Sequence, residues 1–223
     1  MSLVALIPLK PPTEAKARLA GLLSPDERAD LSRVTFLTVA DALLGAGMAV
    51  AVLTPNAVAA ADLTVGECTV IEEQPSIRGL NAQLQVALNG ATFAEAEADS
   101  VLILHADLPL ATPNAVRLLV GAARKDIGRV TMVKSADGGT NAMILPLPRP
   151  FALHYGSGSF ALHEVAARAA GLGVYVHRSP RLALDLDTAA DVRTLLASSR
   201  GRNSPAGRLL LAKGVEARLA DTR

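Results

Sequence analysis

Three basic side chains follow the first predicted strand of this chain within a short, proline-rich stretch. Lys10, Lys16 and Arg18 lie within nine residues of one another, and the stretch begins at Pro8. Lysine offers a point charge and arginine a planar pair of donors, and both suit the oxygens of a polyphosphate. The stretch matches neither a Walker A loop nor a G-x-G-x-x-G fingerprint, so a solvated basic loop is the alternative interpretation.

Carboxylates stand at two distant points of the sequence. Asp107 follows the apolar run 101–104, and Asp185 and Asp187 are two positions apart much later in the chain. Residues two apart share one face of extended backbone. Three such oxygen ligands would suit Mg²⁺, which binds carboxylates together with substrate phosphates. The structural alternatives are a helix cap for Asp187 and a turn for Asp107. Together with the basic stretch, the three carboxylates indicate a metal–nucleotide site.

Two segments of small residues each run from a loop into a predicted helix. Residues 155–160 read Tyr-Gly-Ser-Gly-Ser-Phe, and free backbone N–H groups at a helix start attract anions. A flexible loop with a serine N-cap is the alternative. Residues 78–81, Arg-Gly-Leu-Asn, hold a similar position and could bring backbone close to a base or a ribose.

Other catalytic motifs are missing from the sequence. The four histidines are scattered, and neither H-E-x-x-H nor G-x-S-x-G occurs. The single cysteine, Cys68, excludes an intrachain disulfide framework and a cysteine-based zinc site, and we expect it to be a small core residue. These features favour a reducing, cytoplasmic compartment.

Length and composition predict one globular domain, with or without an extension. Of 223 residues 50% are hydrophobic and 19% charged, and the net charge is +1, which argues against nucleic-acid or membrane partners. Residues 42–61 are uncharged and about as long as a bilayer span, but Gly45, Gly47 and Pro55 interrupt them. We expect a helix end, a turn, a strand and a loop there, and no signal peptide at the N-terminus.

Short β-branched runs alternate with Ala/Leu helical patterns, which predicts an α/β fold with a mostly parallel sheet between helices. Ser24 to Glu27 form a capping box before one helix. Asp137-Gly138-Gly139 predicts a hairpin turn, which would insert one antiparallel strand. The predicted strands cover residues 3–9, 49–53, 69–71, 100–104, 129–134, 141–145 and 174–177, and the predicted helices cover 25–44, 81–97, 112–124, 159–170 and 188–197.

The C-terminal segment differs from the rest of the chain. Residues 200–223 contain six basic and two acidic residues, so we divide the chain into a domain over 1–199 and a basic tail over 200–223. A frayed, solvated terminus is the favoured interpretation. A short amphipathic helix over 208–220, or a basic adaptor surface, is the alternative.

Several of these motifs, taken in order, resemble one known family. They are Ile7–Lys10 with Ala15–Leu19, Gly79–Asn81, Asp107–Pro109, Asp137–Ala142 and Gly156–Phe160, closed by Asp185–Thr188. The set resembles the 2-phospho-L-lactate guanylyltransferases, which include the phosphoenolpyruvate guanylyltransferases of coenzyme F-420 biosynthesis. The resemblance covers residues from about Val4 to Val192.

The resemblance implies a single-domain nucleotidyltransferase fold of the glycosyltransferase-A type. It also implies that GTP lies over the first loop and that a phosphorylated three-carbon acid binds beside it. By position, it implies Lys16, Arg18 and Asp107 as catalytic residues, Pro8, Lys10, Gly79 and Asn81 as nucleotide contacts, Thr140, Gly156 and Ser159 as contacts to the acid, and Asp107, Asp185 and Asp187 as Mg²⁺ ligands.

The implied reaction is attack of the acid's phosphate on the α-phosphorus of GTP, with release of pyrophosphate. Two other functions are alternatives: a molybdenum-cofactor or sugar-phosphate nucleotidyltransferase of the same fold, and a non-catalytic GTP-binding module. The acid stays open among phosphoenolpyruvate, 2-phospho-L-lactate and 3-phospho-D-glycerate, which differ by small groups. A homodimer, and hand-over of the reactive product to the next pathway enzyme, are further hypotheses.

Overall fold

A mixed sheet organises the part of the chain that the computed structural model describes, residues 2–11, 16–55, 68–126 and 128–221. Its strands are β1 (Leu3–Pro8), β2 (Ala49–Thr54), β3 (Cys68–Glu72), β4 (Ser100–Leu104), β5 (Arg129–Lys134), β6 (Thr140–Pro146) and β7 (Gly173–Val176). The spatial order is β3-β2-β1-β4-β6-β5-β7. Only β6 runs against its neighbours β4 and β5 among these strands. The predicted hairpin and its single antiparallel strand are therefore confirmed.

The two central strands are buried on both faces of the sheet. All five residues of β4 and the four middle residues of β1 are buried. Their unbroken Val, Leu, Ile and Ala runs are typical of strands covered on both sides. Alternate residues serve different cores: Ala5 and Ile7 pack on one face, and Val4 and Leu6 pack on the other.

Helices cover both faces of the sheet. They are α1 (Pro25–Leu44), α2 (Leu80–Leu88), α3 (Ala91–Glu95), α4 (Pro113–Arg124), α5 (Ser159–Ala169), α6 (Ala189–Leu196), α7 (Ser199–Arg202), α8 (Pro205–Ala212) and α9 (Val215–Asp221). A short 3-10 turn, Ala17–Leu19, precedes α1. Phe36 of α1 and Leu119 of α4 pack in one core, whereas Leu84 of α2, Phe93 of α3 and Phe160 of α5 pack in the other.

The predicted start of α1 is confirmed, but the single helix predicted over 81–97 is wrong. At α1 the Ser24 hydroxyl accepts from the Glu27 N–H at 3.2 Å, and the Glu27 carboxylate accepts from the Ser24 N–H at 2.9 Å. The 81–97 segment forms α2 and α3 instead, separated at Gly90. Gly90 is the N-cap of α3 in extended backbone, and glycine is a poor interior helix residue.

The C-terminal residues 200–221 are folded onto the rest of the molecule, so the expectation of a frayed terminus is wrong for them. Leu210, Val215 and Leu219 belong to a third apolar cluster, which also contains Leu19 and Leu31. The alternative of one helix over 208–220 is also wrong, because Gly214 adopts a φ of +68° and separates α8 from α9.

The uncharged segment 42–61 does not form one long helix in its described part. α1 ends at Leu44 and β2 follows from Ala49 to Thr54, as the interrupting residues predicted, while 56–67 lie outside the described residues. Across the described ranges, the helices are too short or too polar to traverse a bilayer.

Candidate active site

The candidate site lies at the carboxyl ends of β1 and β4, where the antiparallel strand β6 begins. Asp107 follows β4, and its carbonyl accepts a hydrogen bond from the Leu186 N–H at 3.2 Å. Asn141 on β6 accepts from the His105 N–H at 3.0 Å. Backbone bonds thus tie the segment around residue 186 to the turn after β4, which brings distant carboxylates together.

Asp107, Asp185 and Asp187 converge on one point, as the sequence predicted. Each offers one carboxylate oxygen, and these oxygens all lie within 4.8 Å of one another. The Asp107 Oδ1 atom is buried and has no hydrogen-bond partner among the described residues. A hard divalent cation such as Mg²⁺ fits this set of oxygen donors and would satisfy the buried oxygen.

The structural alternative for Asp187 is wrong, because other residues cap α6. The Thr188 hydroxyl accepts from the Asp191 N–H at 3.3 Å. The Asp191 carboxylate accepts from the N–H groups of Thr188 and Asp187, at 2.7 and 3.1 Å. The Asp187 carboxylate itself faces Lys16 and takes no part in the cap.

Lys16 supplies the positive charge among these carboxylates. Its Nζ atom lies 3.2 Å from Asp107 Oδ2 and 3.5 Å from Asp187 Oδ1, and its side chain is only 4% exposed. The Lys16 backbone is left-handed, with φ 60°, which is uncommon for a residue with a side chain. The left-handed turn at Lys16 therefore places a buried ammonium group in the acidic cluster.

The carboxylates differ in their electrostatic surroundings. Burial raises the pKa of Asp185 to about 6, and repulsion from Asp107 adds to this increase despite a hydrogen bond from Asn141. Burial also acts to raise the pKa of Asp107, but Lys16 and His105 outweigh it and hold that pKa below its usual range. The cluster thus holds more negative charge than Lys16 balances, as a cation site would.

The other residues of the basic stretch lie at the same edge of the sheet. Pro8 ends β1, and Lys10 and Arg18 are exposed. Arg18 is close enough to lower the pKa of Asp137, after the larger effects of hydrogen bonds from Ser135 and Gly139. Residues 12–15, which include Ala15 of the motif Ala15–Leu19, lie outside the described residues.

Asn81 joins the two predicted small-residue loops. Its amide donates to the Tyr155 carbonyl at 3.0 Å and accepts from the Tyr155 N–H at 2.7 Å. Gly79, with φ +86°, precedes it as the N-cap of α2. The Asn81 side chain therefore holds the 155–160 loop in place, a role that the sequence did not predict.

Gln83 is a second organising amide that the sequence analysis missed. Its side chain is buried, donates to the carbonyls of Gln74 and Ile77 at 2.7 and 2.9 Å, and accepts from the Gln74 N–H at 3.0 Å. These bonds fix the loop that leads from β3 to Gly79. Nothing in the sequence signals a loop-binding role for a glutamine inside an apolar helix.

Thr140 and Ser159 come together at the start of β6 and of α5, 3.2 Å apart between their hydroxyl oxygens. Gly156 lies on the loop beside them with φ +138°, a conformation that suits glycine alone. His163 contacts Thr140 of this pair, with Nδ1 3.0 Å from the Thr140 hydroxyl. The sequence analysis missed His163, although its spacing of four from Ser159 places both on one helix face.

The ring of Tyr155 packs against two histidine rings, those of His105 and His163. The Tyr155 ring lies 4.8 Å from the ring of His163 and 5.2 Å from that of His105. The Tyr155 hydroxyl and His105 Nε2 are buried and lack hydrogen-bond partners among the described residues. Burial raises the pKa of Tyr155 and lowers that of His105, so both are neutral at neutral pH.

Comparison with known proteins identifies relatives along most of the chain. Residues 3–209 match the family model described as "Guanylyl transferase CofC like". A phosphoenolpyruvate guanylyltransferase from Rubrobacter xylanophilus is 35% identical over 199 residues, covering 89% of this chain and 95% of that protein. A 2-phospho-L-lactate guanylyltransferase from Halorubrum lacusprofundi is 33% identical over 210 residues, covering 93% and 92%.

Solved structures share the fold at low sequence identity. A protein from Desulfovibrio desulfuricans G20 superposes with a TM-score of 0.76 at 15% identity, over 99% of this chain and 97% of that one. A cytidylyltransferase from Leptospira borgpetersenii gives a TM-score of 0.54 at 13% identity, over 100% and 98%. These similarities confirm the predicted nucleotidyltransferase-type fold.

Proposed function

Since this chain belongs to the CofC-like guanylyl transferase family, we propose that it joins GTP to the phosphate of a phosphorylated three-carbon acid. Relatives at 33–35% identity carry the names of guanylyltransferases for phosphoenolpyruvate and for 2-phospho-L-lactate. The observation that carries the proposal is the carboxylate cluster of Asp107, Asp185 and Asp187 beside the buried Lys16 ammonium. Such a combination suits a nucleoside triphosphate bound with a divalent cation.

The proposed reaction is an in-line displacement at the α-phosphorus of GTP. An oxygen of the acid's phosphate forms the new P–O bond, the bond between the α-phosphorus and the bridging oxygen breaks, and pyrophosphate leaves with the electron pair. The protein supplies no covalent nucleophile, so catalysis comes from positioning and from neutralising charge.

Basic residues would neutralise the triphosphate and the departing pyrophosphate. Lys16 contacts the carboxylates, Arg18 lies in the 3-10 turn that follows it, and Lys10 is exposed two residues after β1. The long Lys16 side chain can pivot from the carboxylates to a phosphate oxygen. Asp107, Asp185 and Asp187 would hold Mg²⁺, which when bound lowers the negative charge on the reacting phosphates.

The acid and the nucleoside would lie on opposite sides of the reacting phosphate. Thr140, Gly156 and Ser159 would hold the acid through hydroxyl and backbone donors. Pro8, Gly79 and Asn81 would contact the nucleoside, and Asn81 also ties its helix to the 155–160 loop.

Acid-dependent release of pyrophosphate tests this proposal. Purified protein with GTP and Mg²⁺ is assayed with phosphoenolpyruvate, 2-phospho-L-lactate or 3-phospho-D-glycerate, and without acid. We expect release with one acid far above the control, and chelation by EDTA should abolish it. GTP binding without release for any acid would favour a GTP-binding module, or a nucleotidyltransferase with a different acceptor.

A further inference from the structure

A buried chain of hydrogen bonds connects α5 with the start of β6. The His154 N–H donates to His163 Nε2 at 2.8 Å, His163 Nδ1 lies 3.0 Å from the Thr140 hydroxyl, and the Ser159 hydroxyl lies 3.2 Å from that of Thr140. The side chains of the last three residues are almost fully enclosed, with residue exposures of 0% for His163, 1% for Thr140 and 2% for Ser159.

The bond from the backbone of His154 determines which ring nitrogen of His163 carries the proton. An N–H donor requires a lone pair on Nε2, so a neutral His163 ring must carry its proton on Nδ1. Burial, with smaller effects of His154 and His105, lowers the pKa of His163 to about 4, and the ring is neutral at neutral pH. His163 therefore donates to Thr140 and does not accept from it.

This direction leaves one hydroxyl proton available. The Thr140 and Ser159 hydroxyls have two protons between them, and their mutual bond uses one of the two. If Nδ1 were an acceptor, Thr140 would donate its hydrogen bond to His163 and Ser159 would donate to Thr140, so both hydroxyl protons would be used. Because Nδ1 donates, one of the two hydroxyls keeps a proton that no partner among the described residues accepts.

The spare donor lies beside the open glycine loop of the site. Ser159 follows Gly156 and Gly158, whose positive φ values of +138° and +66° shape the loop, and an added Cβ at either glycine would meet nothing within 4 Å. Thr140 precedes Asn141, whose amide binds Asp185 at 3.3 Å. An anion bound here would accept a hydrogen bond from that hydroxyl close to the carboxylate cluster.

We propose that His163 is a positioning residue which sets the Thr140–Ser159 pair as a hydrogen-bond donor toward an anionic oxygen of the acid substrate. This inference rests on the proposed function, because it assigns the acceptor as a phosphate or carboxylate of the acid. His163 touches no reacting atom in this account. It sets the direction of the hydrogen bonds at the two hydroxyls, and the donor that is left free favours an anionic acceptor.

Two variants of His163 separate its two hydrogen bonds. His163→Asn places an amide near ring Nδ1, so it keeps the donor to Thr140 and loses the acceptor for His154. His163→Gln places its amide near Nε2, so it keeps the acceptor and loses the donor. For the glutamine variant we expect the KM of the acid to rise about ten- to a hundredfold while the KM of GTP stays within about twofold. The asparagine variant should recover most of the acid's KM.

The tautomer is measured directly in the wild-type protein, without reference to activity. A ¹H–¹⁵N spectrum of the histidine side chains at neutral pH should show His163 protonated at Nδ1 only. Protonation at Nε2 would overturn the inference. So would a KM of the acid and a KM of GTP that rise equally in each of the two variants. An Nδ1–H ring in a protein that releases no pyrophosphate with any acid would instead overturn the proposed function, and with it the assigned acceptor.

Discussion

Lys16 is the side chain on which the electrostatics of the site depend most. Its ammonium contacts Asp107 and Asp187, two of the three residues whose carboxylates would hold a divalent cation. Lysine and cation would therefore compete for the same ligands in the free protein, although both serve the bound triphosphate. Binding of the cation and turnover should then respond in opposite directions to loss of Lys16.

For Lys16→Met we expect tighter binding of Mn²⁺ or Mg²⁺ to the free protein, together with a loss of turnover of about a hundredfold or more. Calorimetric titration with the metal alone measures the first effect, and pyrophosphate release measures the second. Asp30→Asn is the control, because Asp30 forms an exposed ion pair with Lys213, and its loss should change neither quantity. Weaker metal binding in Lys16→Met would show instead that the lysine organises the carboxylates.

Among the helices, α7 and α8 are packed unusually closely through glycine. An added Cβ at Gly207 would collide with the carbonyl oxygen of Gly201 and would lie 3.0 Å from the Arg202 Cα. Gly121, in contrast, lies within α4 with nothing inside 4 Å of its added Cβ. Alanine substitutions at these two positions therefore distinguish the effect of close packing on stability from the effect of helix propensity.

Gly207→Ala should lower the free energy of unfolding by about 2 kcal/mol or more, because the backbones of α7 and α8 must separate. Gly121→Ala should raise it by about 0.5–1 kcal/mol, because alanine loses less conformational entropy in a helix. Denaturation in urea measures both changes. A stabilising Gly207→Ala would mean that α7 and α8 do not pack as described.

The elements that local chemistry specifies could be predicted from the sequence. Ser24-Pro25 and Thr112-Pro113 begin helices through caps and proline at the first turn, and both starts are confirmed. Interactions between distant residues could not be predicted in the same way. The dual use of Asn81, and the role of His163, depend on contacts that only the folded sheet creates. The place of Asp107 at the carboxyl edge of the sheet was predictable, because a parallel strand ends there. Asp185 and Asp187 follow no strand directly, and the bond from the Leu186 N–H to the Asp107 carbonyl holds their segment beside it.

Across the chain as a whole, the C-terminal helices support the segment that carries Lys16 and Arg18. Arg218 on α9 donates to the Leu22 carbonyl at 2.9 Å and to the two oxygens of Glu27 at 2.8 Å each. Leu219 joins the same apolar cluster as Leu19 and Leu22. α9 lies beyond residue 209, where the match to the family model ends.

The Arg218–Glu27 pair predicts a pH-dependent contribution to stability. A hydrogen bond from Arg218, with a further backbone bond at Ser24, lowers the pKa of Glu27 to about 2. A lowered pKa means that the contribution is present above the ordinary value of 4.5 and is lost as the pH falls from there through about 2. Solvent screens the pair in part, since the side chains are 38% and 16% exposed.

Arg218→Ala should therefore lower the free energy of unfolding by about 1–2 kcal/mol at pH 7, and by much less at pH 2. Unfolding in urea at several pH values measures this difference. Arg168→Ala is the control, because Arg168 forms an exposed pair with Glu164 one helical turn away and should cost only a few tenths of a kcal/mol. An Arg218→Ala deficit that is independent of pH would exclude the ion pair as its source.

The most direct measurement follows the phosphorus atoms themselves. A ³¹P NMR spectrum of the protein with GTP, Mg²⁺ and the active acid should show two mutually coupled signals from a new phosphoanhydride, along with pyrophosphate. The variant Asp187→Asn, folded and supplied with Mg²⁺, should leave the GTP and acid signals unchanged, because one of the three cation ligands is lost. Appearance of GDP and inorganic phosphate, with the acid's signal unaltered, would contradict guanylyl transfer. Full turnover by Asp187→Asn would contradict the role of the carboxylate cluster.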